Sequence, residues 1–310
     1  MAITTKDIQE IREQTGLGVM DIKKALEEAG GNKKKALEIL AAQAGAKMEK
    51  RADRITSQGK IGTYTHGDGK SACMIEVNSE TDFVARNAEF QNVVGEIAKL
   101  ALKADSDVAK LSAMEYPKKN AAVSDHLKEL VGTIGENLSL RRTASLKVKD
   151  GVVATYVHNQ ATPGMGKIGV LVALESTGDK EKLNEIGRQV AMHVAATNPL
   201  ALKDEDVDPQ VLERERAIFT EQAKESGKPE KVIKQMIEGR IKKFYQEVIL
   251  LKQAFVVNPD LTVEKALKEA ETAVGAPIAV TAFVRYELGE GIKADKGDFA
   301  AEVAAAAGKQ

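Results

Sequence analysis

Cysteine is nearly absent from this 310-residue chain: Cys73 stands alone, which excludes an internal disulfide and any Cys-rich zinc site. Tryptophan is missing and aromatics make up 4% of the residues, leaving little material for base-stacking platforms. Four scattered histidines are poor stock for a metal cage. Neither sign of charge dominates, with 45 Lys and Arg against 46 Asp and Glu and a net charge of −1. A general nucleic-acid binder needs a cationic surplus to neutralise phosphates, so that class is disfavoured. The opening MAITTKDIQE carries no apolar signal core, and no apolar run approaches the ~18–20 residues of a membrane span. What is present is 43% hydrophobic residues, in a length that accommodates two or three domains with real cores. The expectation is a soluble, multi-domain protein of a reducing compartment, the cytoplasm.

Ile8, Ile11 and Leu17 set a first apolar stripe, which Thr15-Gly16-Leu17-Gly18 interrupts with turn-forming glycines. Met20, Ile22, Ala25 and Leu26 follow at helical spacing and stop at Gly30-Gly31. Asn32 then reads as the N-cap of a third helix carrying Ala36, Leu37, Ile39 and Leu40. Three helices in about 45 residues make a bundle that is marginal alone. The charged residues 47–54 read as its exit linker.

An internal duplication is the most informative feature. Thr63-Tyr64-Thr65-His66 returns as Thr155-Tyr156-Val157-His158, and residues 70–77 return as 167–174. Each pair reads as a β-hairpin, with a short turn at Gly67-Asp68-Gly69 and a longer one over residues 159–166. Each second strand runs into a capping-box-like helix start, Ser79-x-x-Asp82 or Ser176-x-x-Asp179. The helices that follow are marked by Glu96-Ile97-Ala98 and Glu185-Ile186-Gly187. Between the copies lie a helix over 123–134 and a strand over 138–149, so the fold class is α+β. After the second copy, Asp208-Pro209 pairs an N-cap with proline at the first helical position. Two charged helices follow, roughly 209–225 and 230–252. Ile233, Ile237, Ile241, Phe244 and Val248 give the second an apolar seam, which predicts a projecting helical hairpin. Residues 278–288 read as a late strand returning to a sheet, and 299–307 as an Ala-rich terminal helix.

Candidate chemistry is sparse. His66-Gly67-Asp68-Gly69-Lys70-Ser71 imitates a P-loop, but Tyr64 stands where the first glycine belongs and Lys70 opens a strand. Gly166-Lys167 fails likewise, with Ala161 in the glycine position. No G-x-S-x-G, H-E-x-x-H or paired-cysteine motif occurs, so no catalytic residue, cofactor or metal site is assigned. His66 and His158 occupy equivalent strand ends, as a catalytic pair or as hairpin-tip residues inherited by duplication.

The copies differ most at the helix start. Fourteen positions separate Asp82 from Glu96 and six separate Asp179 from Glu185. The first copy thus carries about eight extra residues, 83–90, or about two helical turns. Lys180 stands where the first copy has Phe83, so the shared fold does not demand an apolar residue there. Either Phe83 and Phe90, seven apart, share a core-facing stripe, or Phe83 is displayed as an interface anchor. Asp82 reads as a helix cap, because Asp179 keeps the same place without the insertion.

Asn78-Ser79-Glu80-Thr81-Asp82-Phe83-Val84-Ala85-Arg86-Asn87 is where the chain resembles a known family, bacterial elongation factor Ts. The likeness is nearly full length. It opens with Thr15-Gly16-x-Gly18-x-Met20-Asp21-x-Lys23-Lys24-Ala25-Leu26 and includes Ile134-Gly135-Glu136-Asn137 and Tyr156-Val157-His158. It continues through Glu238-Gly239-Arg240-x-x-Lys243-Phe244 and Asp298-Phe299-Ala300-Ala301-Glu302-Val303. Leu17, Val19 and Ile22 vary positions of the opening motif, and the long 159–166 turn is a second departure. The resemblance implies a ubiquitin-associated-like bundle and linker at 1–54 and core subdomains at 55–149 and at 150–207 plus 254–288. It also implies a coiled-coil hairpin at 208–253 and a C-terminal module at 289–310.

Functionally, the resemblance implies a non-enzymatic guanine nucleotide exchange factor for the GTPase EF-Tu, with no cofactor and no direct nucleic-acid or membrane partner. Thr81, Asp82, Phe83 and Val84 would disturb the Mg2+ region of EF-Tu and speed GDP departure. Lys23, Ile134, Gly135 and His158 would be secondary contacts. Core packing is an equal reading for Ile134, and a helix C-terminal turn for Gly135. The hairpin is left open between simple projection and self-association as a homodimer or 2:2 complex. Two rivals differ in kind: a scaffold that only binds proteins, and a small-molecule enzyme at the two histidine-bearing tips.

Overall fold

Capping sets the boundaries of the first helices. The computed structural model of the chain describes residues 3–292 except 161 and 226, with 44–50 described by backbone alone. The helix read at 299–307 and most of the 289–310 module lie outside the described residues. Contacts divide the chain into two units, one of residues 1–60, 75–142 and 288 onward, the other of 61–74 and 143–287.

In the first unit, Thr4 opens α1 (Thr5–Thr15) with a capping box, its hydroxyl accepting from Asp7 N while the Asp7 carboxylate accepts from Thr4 N. After α2 (Val19–Glu28), Asn32 caps α3 (Lys33–Ala52) by accepting from Lys35 N, as expected. Ile11, Ile22, Leu26, Ala36 and Leu40 form the bundle core. Met20, read as part of that stripe, is instead 65% exposed. Ile22, Ala25 and Leu26 already fill the inward arc of α2, and Met20 lies on the opposite side of the helix. The presumed linker is also corrected: α3 stays helical to Ala52, because residues 47–52 are all good helix formers.

The unit continues through β1 (Gln58–Thr65), β2 (Ser71–Ser79), α4 (Asp82–Ala85), α5 (Ala88–Ala101), α6 (Val108–Ala113), α7 (Val123–Ile134) and β3 (Leu138–Lys147). β1, β2 and β3 each pass from one unit into the other along the chain. α5 buries Phe90, Val93, Val94, Ile97 and Ala101, the spacing of one helical face.

The second unit holds β4 (Gly151–His158), β5 (Met165–Gly166), β6 (Ile168–Glu175), α8 (Lys180–Thr197), α9 (Pro209–Lys224) and α10 (Glu230–Val248). β7 (Ala254–Phe255), β8 (Asn258–Thr262), α11 (Val263–Val274) and β9 (Ala279–Glu287) complete it. The sheets run β3-β2-β1-β5, β4-β6-β9 and β7-β8. β4 and β6 are antiparallel, with Gly151 opposite Glu175 and His158 opposite Ile168, and the late strand joins β6 as β9. Leu183, Val190 and Val194 of α8 pack with Val152, Val172 and Leu174 of this sheet. The long second turn is pinned: Met165 and Gly166 pair with Gly62 and Ile61, and Thr63 N donates to Gly164 O.

The duplication extends to backbone detail. Gly59 and Gly151, each four residues before the matching threonine, have φ of +132° and +147°. A Cβ on Gly59 would lie 2.1 Å from the Val77 carbonyl oxygen, and one on Gly151 would lie 1.9 Å from that of Leu174. Val77 and Leu174 are themselves matched residues of the repeat.

α9 and α10 form the expected hairpin. Ala223, Ile237 and Ile241 are buried between them, flanked by an Arg216–Glu238 ion pair at 2.7 Å. Phe244 and Val248 leave that seam and join Ala201, Val207 and Ile249 in a separate cluster at the base. α10 ends at Val248, short of Lys252, because Ile249 turns extended and bridges to Ala201.

Glu76 and His193 are ionisable groups with no exposed surface. Glu76, where the second copy has Ala173, accepts from Arg141 at 3.0 Å, Arg142 at 2.5 Å, Asn78 at 3.0 Å and Gly289 N at 2.9 Å. Burial pushes its carboxyl up, but Gly289 N–H, Asn78 and the two arginines outweigh burial and hold it below its ordinary 4.5. His193 donates from Nε2 to Gln253 Oε1 at 2.9 Å and accepts at Nδ1 from Val256 N at 3.2 Å, an arrangement that fits the neutral ring. Burial lowers its pKa below 6.5, against a smaller opposing effect of Gln253.

Both folded values lie below the unfolded ones, so both contributions are present at higher pH and lost on acidification. The His193 contribution erodes as pH falls below about 6.5, and that of Glu76 as it falls below about 4.5. Glu76→Gln should therefore flatten the fall of the urea midpoint below about pH 4.5 and leave the fall nearer pH 6 in place. An unaltered acid limb would assign that sensitivity to other carboxylates.

Candidate partner-binding site

Thr81 to Val84 lie in a short helical turn, α4 with its N-cap, set ahead of the main helix of the first copy. Thr81, not Asp82, is its N-cap, and Asp82 is its first helical residue, ion-paired with Arg86 at 2.6 Å. The equivalent of the Asp179 cap is Asn87. Asn87 Oδ1 accepts from Glu89 N and Phe90 N, just as Asp179 Oδ1 accepts from Glu181 N and Lys182 N. The extra residues therefore do not lengthen the helix by two turns. They make a separate turn, because Asn87 starts α5 afresh with extended backbone at φ −66° and ψ 133°.

That break decides between the two readings of Phe83. Phe90 is fully buried, whereas Phe83 is 78% exposed, so they share no core stripe. Val84 and Ala85 point inward and hold the turn down. Thr81 donates its N–H and its hydroxyl to the two Glu136 oxygens, at 2.9 and 2.6 Å. Glu80 in turn accepts from Asn137 N at 2.7 Å and pairs with Arg54 at 3.1 Å. The Asn137 amide reaches the carbonyls of Ala52 and Arg54. Glu80, Glu136 and Asn137 lie within the family motifs, but no local pattern gives them a role. The available signal is the stretch 80–86 ahead of Asn87, where the second copy has only Thr177 and Gly178 ahead of its cap.

Lys23 is exposed on α2, 3.9 Å from Glu27. Ile134 is half-buried at the end of α7, and Gly135 is the left-handed C-cap of that helix, with φ +88° and its N–H on Val131 O. These residues belong to the same unit as Thr81 to Val84, while His158 belongs to the other. His158 is exposed and its Nδ1 lies 3.0 Å from Tyr156 Oη. His66 pairs instead with Asp68 of its own turn at 2.9 Å. A shallow cavity of about 350 Å³ beside His66, lined also by Asp68, Lys180 and Asn184, does not include His158. The two tips thus build no shared pocket there. Among the described residues no cluster of ligand side chains could hold a metal, and no helix is long and apolar enough to cross a membrane.

A family model described as Elongation factor TS matches residues 80–290, beginning at Glu80. The elongation factor Ts of Parvibaculum lavamentivorans is 55% identical over 305 residues, covering 98% of each chain. That of Rhizobium meliloti is 55% identical over 307 residues, covering 99% of each. This chain belongs to the elongation factor Ts family. A further member, from Mesorhizobium japonicum, is 54% identical over 309 residues and covers all of both chains. Membership in the elongation factor Ts family disfavours the small-molecule enzyme.

Proposed function

We propose that this chain is the guanine nucleotide exchange factor for the GTPase EF-Tu, acting in the cytoplasm by contact alone, with no cofactor and no chemistry of its own. The observation that carries the reading is Phe83, an aromatic ring presented 78% exposed on a turn held from beneath. Aromatic side chains, Phe among them, are enriched at protein interfaces relative to the rest of the surface. Thr81, Asp82, Phe83 and Val84 form the element that disturbs the Mg2+ and nucleotide region of the GTPase. Lys23, Ile134, Gly135 and His158 are secondary contacts. The labour divides among a ubiquitin-associated-like bundle at 1–54, core subdomains at 55–149 and 150–207 plus 254–288, a hairpin at 208–253 and a terminal module at 289–310.

A nanomolar GDP complex is held by about 12 kcal/mol. A coupling of ~5.5 kcal/mol between factor and nucleotide shifts occupancy about 10⁴-fold. Linkage makes the effect mutual, so bound GDP weakens the factor by the same ratio, and abundant GTP then displaces the factor. Stopped-flow release of fluorescent GDP from EF-Tu tests the proposal. Faster release with added protein supports exchange; a stable complex with unaltered release would make the chain a scaffold.

The hairpin should be dispensable for release. Its seam of Ala223, Ile237 and Ile241 closes on itself, but Ile249, Leu250 and Gln253 are buried at the base and must be retained. Excising residues 213–243, with about four Gly and Ser residues across the gap, leaves that base intact; loop closure depends only weakly on length. Circular dichroism and GDP release should both survive. A folded deletion with no exchange activity would put the hairpin in the mechanism.

A further inference from the structure

The turn that carries Phe83 has few resources of its own. α4 is four residues long, too short for helix propagation to repay nucleation. Its cap bond, from Val84 N to Thr81 Oγ1, is stretched to 3.5 Å. The strong bonds come from outside: both Thr81 donors go to Glu136 at 2.9 and 2.6 Å, and Asn137 N returns one to Glu80 at 2.7 Å. Adjacent residues on two segments, 80–81 and 136–137, thus exchange charge-assisted hydrogen bonds, the shorter and stronger kind. Asn137 also fastens to the carbonyls of Ala52 and Arg54, at 3.2 and 3.0 Å.

The second copy folds its hairpin and helix without any of this. Only Thr177 and Gly178 lie between Ser176 and the Asp179 cap, where the first copy has residues 80–86 before Asn87, and a Cβ on Gly178 would sit 2.4 Å from the Val274 carbonyl oxygen. The clamp therefore belongs to the copy that displays Phe83 and not to the shared fold.

We infer that Glu136, with Glu80 and Asn137, is a positioning residue for nucleotide exchange, holding the Thr81 turn so that Phe83 is presented in its docking orientation. The inference rests on the exchange reading above. Without the clamp the turn samples other orientations even when the rest of the factor is seated on its partner, and only the competent fraction of those complexes releases nucleotide quickly, so the loss falls on the maximal rate.

The test uses the full chain and EF-Tu loaded with fluorescent GDP, with maximal release rate and half-saturating concentration measured separately. Glu136→Ala and Thr81→Val should each lower the maximal rate by about ten-fold, the size of coupling seen between residues of one hydrogen-bond network. Thr81→Ser, which keeps the hydroxyl, should retain more of the rate than Thr81→Val. In a Phe83→Ala background neither Glu136→Ala nor Thr81→Val should cause further loss, because what they position is gone. Circular dichroism confirms folding, and if Glu136→Ala does not fold, Thr81→Val carries the comparison. Full, additive losses in the Phe83→Ala background would overturn the inference and place Glu136 or Thr81 directly on the partner. Unaltered maximal rates in both single variants would also overturn it. A Phe83→Ala variant with an unaltered rate would likewise overturn it, since the turn would have nothing to position, whereas failure of the unmodified chain to speed GDP release would instead sink the exchange reading.

Discussion

Phe83→Ala is expected to slow factor-stimulated GDP release by about thirty-fold or more, the effect of losing an anchor worth ~2 kcal/mol or more. Stability should hardly move. The ring is 78% exposed, and truncations at such positions usually fall within about 0.5 kcal/mol. The two measurements together discriminate. A variant that melts early but keeps full activity per folded molecule would return Phe83 to the core. A variant that keeps both stability and rate would leave the exposed ring without a role. Phe90→Ala is the contrasting control, because Phe90 is fully buried in α5 and its truncation should cost ~3–5 kcal/mol of stability.

The largest stability losses from adding a single methyl group should come at Gly59 and Gly151. Each sits at a positive φ that costs an L-residue ~1–3 kcal/mol, and each added Cβ would meet a backbone oxygen at 2.1 or 1.9 Å. A carbonyl in a paired strand cannot swing aside as a side chain does, so overpacking adds about as much again. Gly59→Ala and Gly151→Ala should therefore each lower the urea midpoint by the equivalent of roughly 3 kcal/mol or more. Gly67→Ala, at the open tip of the first hairpin with no atom within 4 Å, supplies the baseline. If Gly59→Ala and Gly151→Ala behave like Gly67→Ala, the close approach is not what those positions require.

Periodicity and duplication carried most of the fold. α7 spans the residues read from its apolar spacing, and β2, β6, β3 and β9 lie within a residue or two of expectation, because each shows one dominant period or an evident turn, while β1 and β4 begin five and four residues ahead of the repeated threonines. α11 went unread. Its segment, Val263–Val274, mixes alanines and charges, and its start depends on Thr262 capping through Lys265 N, a signal as common in loops as at helices. The two-residue strands β5 and β7 have no period at all and exist only through their partners. At the site, the insertion was visible by comparing the copies, but its shape was not. Whether Asp82 or Asn87 starts the helix turns on one backbone angle, and both residue types cap equally well. Glu136 was invisible as a partner of Thr81 because 55 residues separate them.

α3 remains helical from Lys33 to Ala52, across a stretch whose charge had the look of a tether. Were residues 47–54 a coil, they would span about 16 Å on average, and a second contact would follow a first at an effective concentration in the millimolar range. A helix has instead a phase. Each residue inserted into or deleted from α3 turns what precedes it by about 100° and shifts it by 1.5 Å, where a coil would absorb the change. Val19, Met20 and Lys23 stand upstream of that helix, and the carbonyl of Ala52, at its end, is held by Asn137 beneath the Phe83 turn. The bearing of one exposed patch relative to the other is thus written in the length of α3. Changes of chain length in this lineage should be tolerated in the 159–166 turn or the hairpin tip far more readily than between Lys33 and Ala52.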